Sequence, residues 1–222
     1  MKRSVHVIIA ALVIFVGAED AMAIEEAAYK LVDSEGRFEV RDYAAHVLAE
    51  TVVEGNLEDA GNKAFYRLFN YISGKNRSQA KIAMTAPVAQ EPAGEKIAMT
   101  APVEQRRTND NWAVSFMMPS TYTLESLPVP EDSTVTLRQV PARRMAAVRY
   151  SGFWSEKRYL RFKTMLEAWI GKKGLTIVGD PVWARYNPPF TPWFLRRNEI
   201  LIPVTGGDSD KVTGETASPE RR

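Results

Sequence analysis

The sequence predicts an α+β fold in which two helices pack against an antiparallel sheet, and two observations carry that expectation. The segments 56–74 and 155–174 have helical periodicity, whereas their neighbours alternate apolar and polar residues and stop at Gly, Pro or Asn. The order of elements also repeats, as a long strand, a helix and two strands, twice over. The chain is therefore expected to fold as two pseudo-symmetric halves. The halves share little sequence, so this expectation rests on element order alone.

The chain opens with Lys2 and Arg3, a largely apolar run from Val5 to Val16, and the small-residue sequence Ala21-Met22-Ala23. This is the pattern of a cleavable export signal. The run is much shorter than the roughly 20 residues of a spanning helix, and Glu19 and Asp20 interrupt it, so residues 1–23 are expected to be removed. No stable membrane span should remain after cleavage, and the destination is expected to be the periplasm. With no Cys, the chain can form no disulfide and perform no thiol chemistry. A formal net charge of +2 gives no argument for nucleic acid as a partner.

Residues 24–35 read as a lead-in to the folded domain, which spans 36–204. GRFEVRDYAAHVLAETVVEG (36–55) alternates and reads as one long strand. NLEDAGNKAFYRLFNYISG follows with Asn56 as cap, a stripe of Leu57, Ala60, Ala64, Leu68 and Ile72, and Gly74 as stop. The phrase KIAMTAPV then occurs at 81–88 and again at 96–103. Each copy reads as a short strand that runs out at its Pro, so the phrase is expected to be architectural. RRTNDN is a turn before WAVSFMMP (112–119), and TVTLRQV (134–140) with RMAAVRYSG (144–152) reads as a further pair. In the second helix Ser155 is the cap, Phe162, Leu166, Trp169 and Ile170 form the stripe, and Gly174 ends it. LTIVGDPVWARY and NEILIPV are the last strands, and 205–222, without apolar periodicity, is expected to be a disordered tail.

Five ordered motifs, FEVRDY, YISGKN, KIAMTAPV, FMMPSTYTLESLPVP and ARYNPPFTPWFLRRNE, resemble the SOUL haem-binding protein family over about residues 36–204. The resemblance implies a distorted antiparallel β-barrel with two helices outside it, and haem or another tetrapyrrole as ligand. A porphyrin is a flat apolar disc with two carboxylates, so it needs an apolar slot with cations at its rim. Tyr186, Phe190, Trp193 and Phe194 crowd an apolar loop that leads directly into Arg196 and Arg197, whose forked guanidinium groups suit propionates. The same loop also suits a structural cap on the barrel end, with Arg197 paired to Glu199. Lys63 and Arg67, with Tyr66 and Asn70, lie at helical spacing and could rim a groove, or form an ordinary solvated face. Asn62 and Asn70 stand where the family implies basic residues on this helix.

For iron, the mature chain offers one His, His46. Some family members carry a His in the first motif where this chain has Asp42, and the family is thought to bind haem without a strong protein ligand. Met84 and Met99 could serve as thioether ligands, but Met in an alternating strand is more often core filler. The expected function is therefore a non-catalytic tetrapyrrole carrier or buffer. The alternatives are a hydrolase built on Glu199 or Glu167 near Tyr186, and an envelope interaction protein that uses the apolar loop as a partner surface.

Overall fold

The structure, a computed structural model, describes residues 24–79 and 94–206. The export signal, the first copy of KIAMTAPV and the tail beyond Gly206 lie outside the described residues.

The chain runs through β1 (Glu25–Glu26), β2 (Tyr29–Glu35), β3 (Phe38–Tyr43), β4 (His46–Val53), α1 (Leu57–Ile72), β5 (Asn76–Arg77), β6 (Thr100–Ala101), β7 (Val103–Thr108) and β8 (Asn111–Met117). It continues through β9 (Val129–Pro130), β10 (Val135–Val140), β11 (Arg143–Tyr150), α2 (Glu156–Lys172), β12 (Thr176–Ile177), β13 (Val182–Arg185) and β14 (Asn198–Thr205). Both helices form where the apolar stripes predict them. Asn56 caps α1 by accepting the Asp59 N–H at 2.8 Å. Ser155 occupies the cap position of α2 in extended conformation but makes no side-chain cap bond. Gly74 and Gly174 adopt the positive φ that ends each helix.

The main sheet has the order β10-β4-β8-β7-β13-β14-β11-β3-β2, antiparallel throughout, with β12 added on β14. Outward from the junction of β7 with β13, the two sides read β8, β4, β10 and β14, β11, β3. α1 packs on β4 and β8, and α2 packs on β11 and β14. The two halves are therefore related by a pseudo-two-fold between β7 and β13, which is the duplication the element order predicts.

Several expectations need correction. The long strand 36–55 is two strands, divided at Ala44-Ala45, whose partners lie at opposite ends of the sheet. TVTLRQV and RMAAVRYSG do not pair with each other either: β10 joins β4, while β11 joins β3 and β14. The lead-in contributes β1 and β2, the segment 175–186 divides at Gly179-Asp180-Pro181, and the last strand reaches Thr205. The sheet is also open, with β10 and β2 as edges that share no ladder, so the expected closed barrel is not formed.

The chain nonetheless bends the sheet. β3 to β4 and β10 to β11 are crossed by two residues each, Ala44-Ala45 and Pro141-Ala142. Such a link reaches at most about 11 Å, so the two ends of the sheet must meet there. The curl turns the helix-free face inward: Glu104 in β7 feels Arg143 and Arg138, three strands away on either side, or about 14 Å in a flat sheet. The helix-covered face holds the main core, including Ala49, Val114, Leu166, Trp183 and Ile200.

The second copy of KIAMTAPV works as structure. Ile97 is buried in the main core, and its N–H donates to Ile72 O at 2.8 Å. Thr100 and Ala101 pair in parallel with Glu25 and Glu26, and the Thr100 hydroxyl donates to Met117 O.

On the inward face sits a fully buried carboxylate, Glu199. Arg41, itself buried, donates to it from Nη1 at 2.6 Å and Nη2 at 3.2 Å. Arg197 Nε donates at 2.9 Å and the Tyr186 hydroxyl at 3.0 Å. Burial alone would push the Glu199 carboxyl up, but hydrogen bonds from Arg41 and the charges of Arg41 and Arg197 overcome it and hold the group below the ordinary glutamate value. Its contribution to stability is therefore full above the ordinary value of 4.5 and is lost as the pH falls beneath it.

Two outcomes follow for stability. Ile97→Ala should cost about 2–4 kcal/mol in chemical denaturation while Met99→Ala, at an exposed position, changes little; equal effects would show that the phrase does not act through its core residue. Glu199→Gln should cost about 2–4 kcal/mol at neutral pH, because it removes the buried counter-charge of Arg41 and leaves it only Glu39. The difference from the parent chain should shrink on acidification from about pH 5 to about pH 3, and a constant difference would show that Glu199 is not the titrating group.

Candidate functional site

The segment between β13 and β14 is a loop that satisfies its own backbone. Thr191 N–H donates to Pro188 O at 3.1 Å, and Leu195 N–H to Pro192 O at 2.9 Å within a short 3-10 turn at Trp193–Leu195. Arg196 donates from Nε to Thr191 O at 2.7 Å and from Nη2 to Pro189 O at 2.6 Å. Gly152 N–H reaches across to Trp193 O at 2.9 Å. With its carbonyls bound and its prolines rigid, the loop turns its large side chains outward. Trp193, Phe194, Leu195 and Phe190 are 49%, 58%, 64% and 85% exposed, and Phe153, 58% exposed, stacks on Trp193 with ring centroids 5.5 Å apart. Together they form an aromatic ledge, an exposed apolar cluster on a chain whose core is otherwise closed.

Behind the ledge lie two tryptophans and two arginines. Trp154 Nε1 donates to Asn198 Oδ1 at 2.8 Å, which holds its ring upright. The Arg196 guanidinium lies 4.5 Å and the Arg185 guanidinium 4.8 Å from the centre of that ring. Arg185 also lies 5.4 Å from the centre of Trp183. Gly61 of α1 packs against its tip: a Cβ there would stand 2.3 Å from Nη2. Among the described residues Arg185 has no carboxylate partner and no hydrogen bond, and its Nε is sealed from water. Burial pulls its guanidinium down to about 10. Trp183 Nε1 faces the Tyr150 hydroxyl as a donor, and among the described residues neither atom has a further partner.

The expected site residues divide among three places. Phe190, Trp193 and Phe194 form the ledge. Tyr186 and Arg197 instead face the opposite side of the sheet, tied to Glu199, with Arg197 also bound to Glu26 at 2.8 Å and stacked 3.7 Å from the Tyr186 ring centre. Arg196 stays beside the ledge, although loop carbonyls engage its donors. Lys63 and Arg67 lie toward β4 and not toward the loop: Arg67 reaches Thr51 Oγ1 at 3.4 Å, and Lys63 lies against Gly55. It is Gly61 that turns toward β13.

His46 begins β4, where Nδ1 donates to Ala44 O at 3.0 Å, which leaves Nε2 as the nitrogen that could meet iron. That atom is enclosed by protein, without a partner and without an open path to iron. Among the described residues no three His, Cys, Asp or Glu groups gather as a metal site. Glu167 pairs with Lys163 on α2 at 2.7 Å, so Glu199 alone meets Tyr186.

Sequence reading missed Arg185, Phe153, Trp154 and Gly61. Arg185 stands inside the quoted ARYNPPF motif, where alternation with Tyr186 places it on the other face. Phe153 and Trp154 are an aromatic pair outside any helical stripe, which was the available signal.

Known proteins share this organisation. The solved structure of a hydrolase from Listeria innocua matches 78% of this chain and 94% of its own at a TM-score of 0.51 and 12% identity. A chain of the EcmrR–DNA complex matches with a TM-score of 0.52 and 11% identity over 79% of this chain and 57% of its own. At such identities the likeness is one of fold alone. Heme-binding protein 1 of Mus musculus is 25% identical over 152 residues, which are 68% of this chain and 75% of the relative. The model of the SOUL heme-binding protein family matches residues 24–203, nearly the whole described chain, and the protein belongs to that family.

Proposed function

We propose that the chain is an exported haem-binding protein that holds its ligand on the aromatic ledge and does not turn it over. The observation that carries this reading is the ledge itself. Phe153, Phe190, Trp193, Phe194 and Leu195 offer flat apolar surface, held in place by a loop whose backbone is already satisfied. A porphyrin plane gains most of its affinity from such contact, and haem can be held there without an iron ligand from the protein. The family membership supports haem; another tetrapyrrole would meet the same surface.

The hydrolase reading has its own observation, the Tyr186 hydroxyl 3.0 Å from Glu199. The electrostatics oppose it. A general acid or base needs a carboxyl poised near the working pH, but two guanidinium groups and a phenol hold Glu199 firmly ionised. Burial, and then the Glu199 charge, push the Tyr186 phenol far above its ordinary value, so it is no ready nucleophile. The pair acts as a structural tie.

Export is part of the proposal. The family match begins at Ile24, the residue after the Ala21-Met22-Ala23 sequence, which suits a domain that starts once a signal is removed. Among the described residues no helix is long and apolar enough to cross a membrane.

Hemin titration followed by the Soret band tests the ligand site. Trp193→Ala should weaken binding about tenfold, and His46→Ala should leave it within about twofold. Loss of the Soret shift in His46→Ala, with Trp193→Ala unaffected, would place haem on the other side of the sheet. Intact mass of the protein from its native cells should begin at Ile24, and a membrane-bound species that retains Met1 would contradict export with cleavage.

A further inference from the structure

We infer that Arg185, with Gly61 beside it, is the receptor for a carboxylate of the bound ligand. The inference deepens the haem reading and rests on it, since a propionate of a porphyrin lying on the ledge is the carboxylate in question.

Buried polar atoms in proteins almost always find partners, and those that do not need a reason such as water, an ion or a ligand. Here Arg185 Nε has no partner among the described residues, and beside it Trp183 Nε1 and the Tyr150 hydroxyl have only each other. The Arg185 guanidinium lies on the Trp183 ring, and Tyr150 is the group whose charge Arg185 feels. Arg185 and Trp183 can only donate, and among the described residues no carboxylate lies near Arg185 to accept. Buried Arg41 meets both Glu199 and Glu39, whereas Arg185, enclosed on nearly every side, has no carboxylate acceptor among the described residues.

The site is also built. Trp154 and Trp183 hold the guanidinium plane by stacking, which fixes the fork without using its N–H groups. Gly61 leaves room at its tip, where any larger residue would push the terminal nitrogens away. Arg185 keeps part of its surface accessible, and its terminal nitrogens, unlike Nε, are not sealed. Trp154 follows Phe153 directly in the chain, and Phe153 stacks on Trp193, so the cation stands next to the ledge. A planar, forked, desolvated cation beside a flat apolar surface complements a planar apolar ligand that carries a carboxylate.

The test pairs a change in the protein with a change in the ligand. Hemin and its dimethyl ester, whose propionates carry no charge, are titrated against the mature chain and against Arg185→Gln. Esterification should weaken binding about tenfold or more to the parent chain and little to Arg185→Gln, because both changes remove one interaction. Equal losses on both proteins would send the propionates elsewhere and overturn the inference, while leaving haem on the ledge. Gly61→Ala provides a second variant, since Ala favours the helix and yet displaces the guanidinium. It should keep its unfolding midpoint and lose the preference for hemin over the ester; a retained preference would count against the site. Should hemin fail to bind the parent chain, the haem reading falls, and sodium propionate decides the receptor separately. A saturable shift of the Arg185 Nε–H resonance would uphold it, and an unmoved resonance would end it.

Discussion

One buried carboxylate fixes where the ledge stands. The aromatic loop leaves the sheet at Tyr186 and returns at Arg197, and both residues bind Glu199, as does Arg41 from β3. The two stems are further joined by the Tyr186 N–H to Arg197 O and by the Arg197 N–H to Asn187 Oδ1 at 2.6 Å. A loop of this length would otherwise be free to fold its aromatic side chains onto the core. Pinned at both ends by charge-assisted bonds that water cannot reach, it holds Phe190, Trp193 and Phe194 outward instead.

Strand alternation lets one segment serve two faces. Tyr186, Arg197 and Glu199 point to the inward face, whereas Arg185 and Asn198, each one residue away, point to the helix-covered face. On the inward face, Glu199 is neutralised within the protein by Arg41 and Arg197. On the other face, Arg185 is stacked and enclosed but left without a counter-charge. The same strands therefore carry a tie that stabilises the fold and a cation that waits for an external partner. The curl of the sheet separates these roles, since the two-residue links at Ala44-Ala45 and Pro141-Ala142 close the inward face on itself.

Much of the fold could be read from local pattern. Helix stripes, the Asn56 cap and the Gly stops all act over a few residues and stand where the sequence places them, whereas RRTNDN is mostly strand and turns only at Asn109-Asp110. The failures were non-local. Ala44-Ala45 carries no Gly or Pro, so nothing in 36–55 announces that the chain crosses from one end of the sheet to the other. Pairing partners and the open edge are set by which strands curl together, and no single segment encodes that. The site shows the same division. The loop aromatics were legible because they are contiguous, and Arg185 was not, because its meaning depends on Gly61 from α1 and Trp154 from the link between β11 and α2. Lys63 and Arg67 share a helix with Gly61, but helical phase turns them to the other side.

The account centres on a ligand that lies on the ledge with its carboxylate toward Arg185. Ferric haem is paramagnetic, so it broadens the resonances of nuclei close to it, and a single pair of amide spectra with and without hemin reads its position directly. The account predicts broadening confined to residues 152–154 and 188–196 and to α1 around Gly61. Broadening centred on His46, Glu104 and the inward face of the sheet would contradict it.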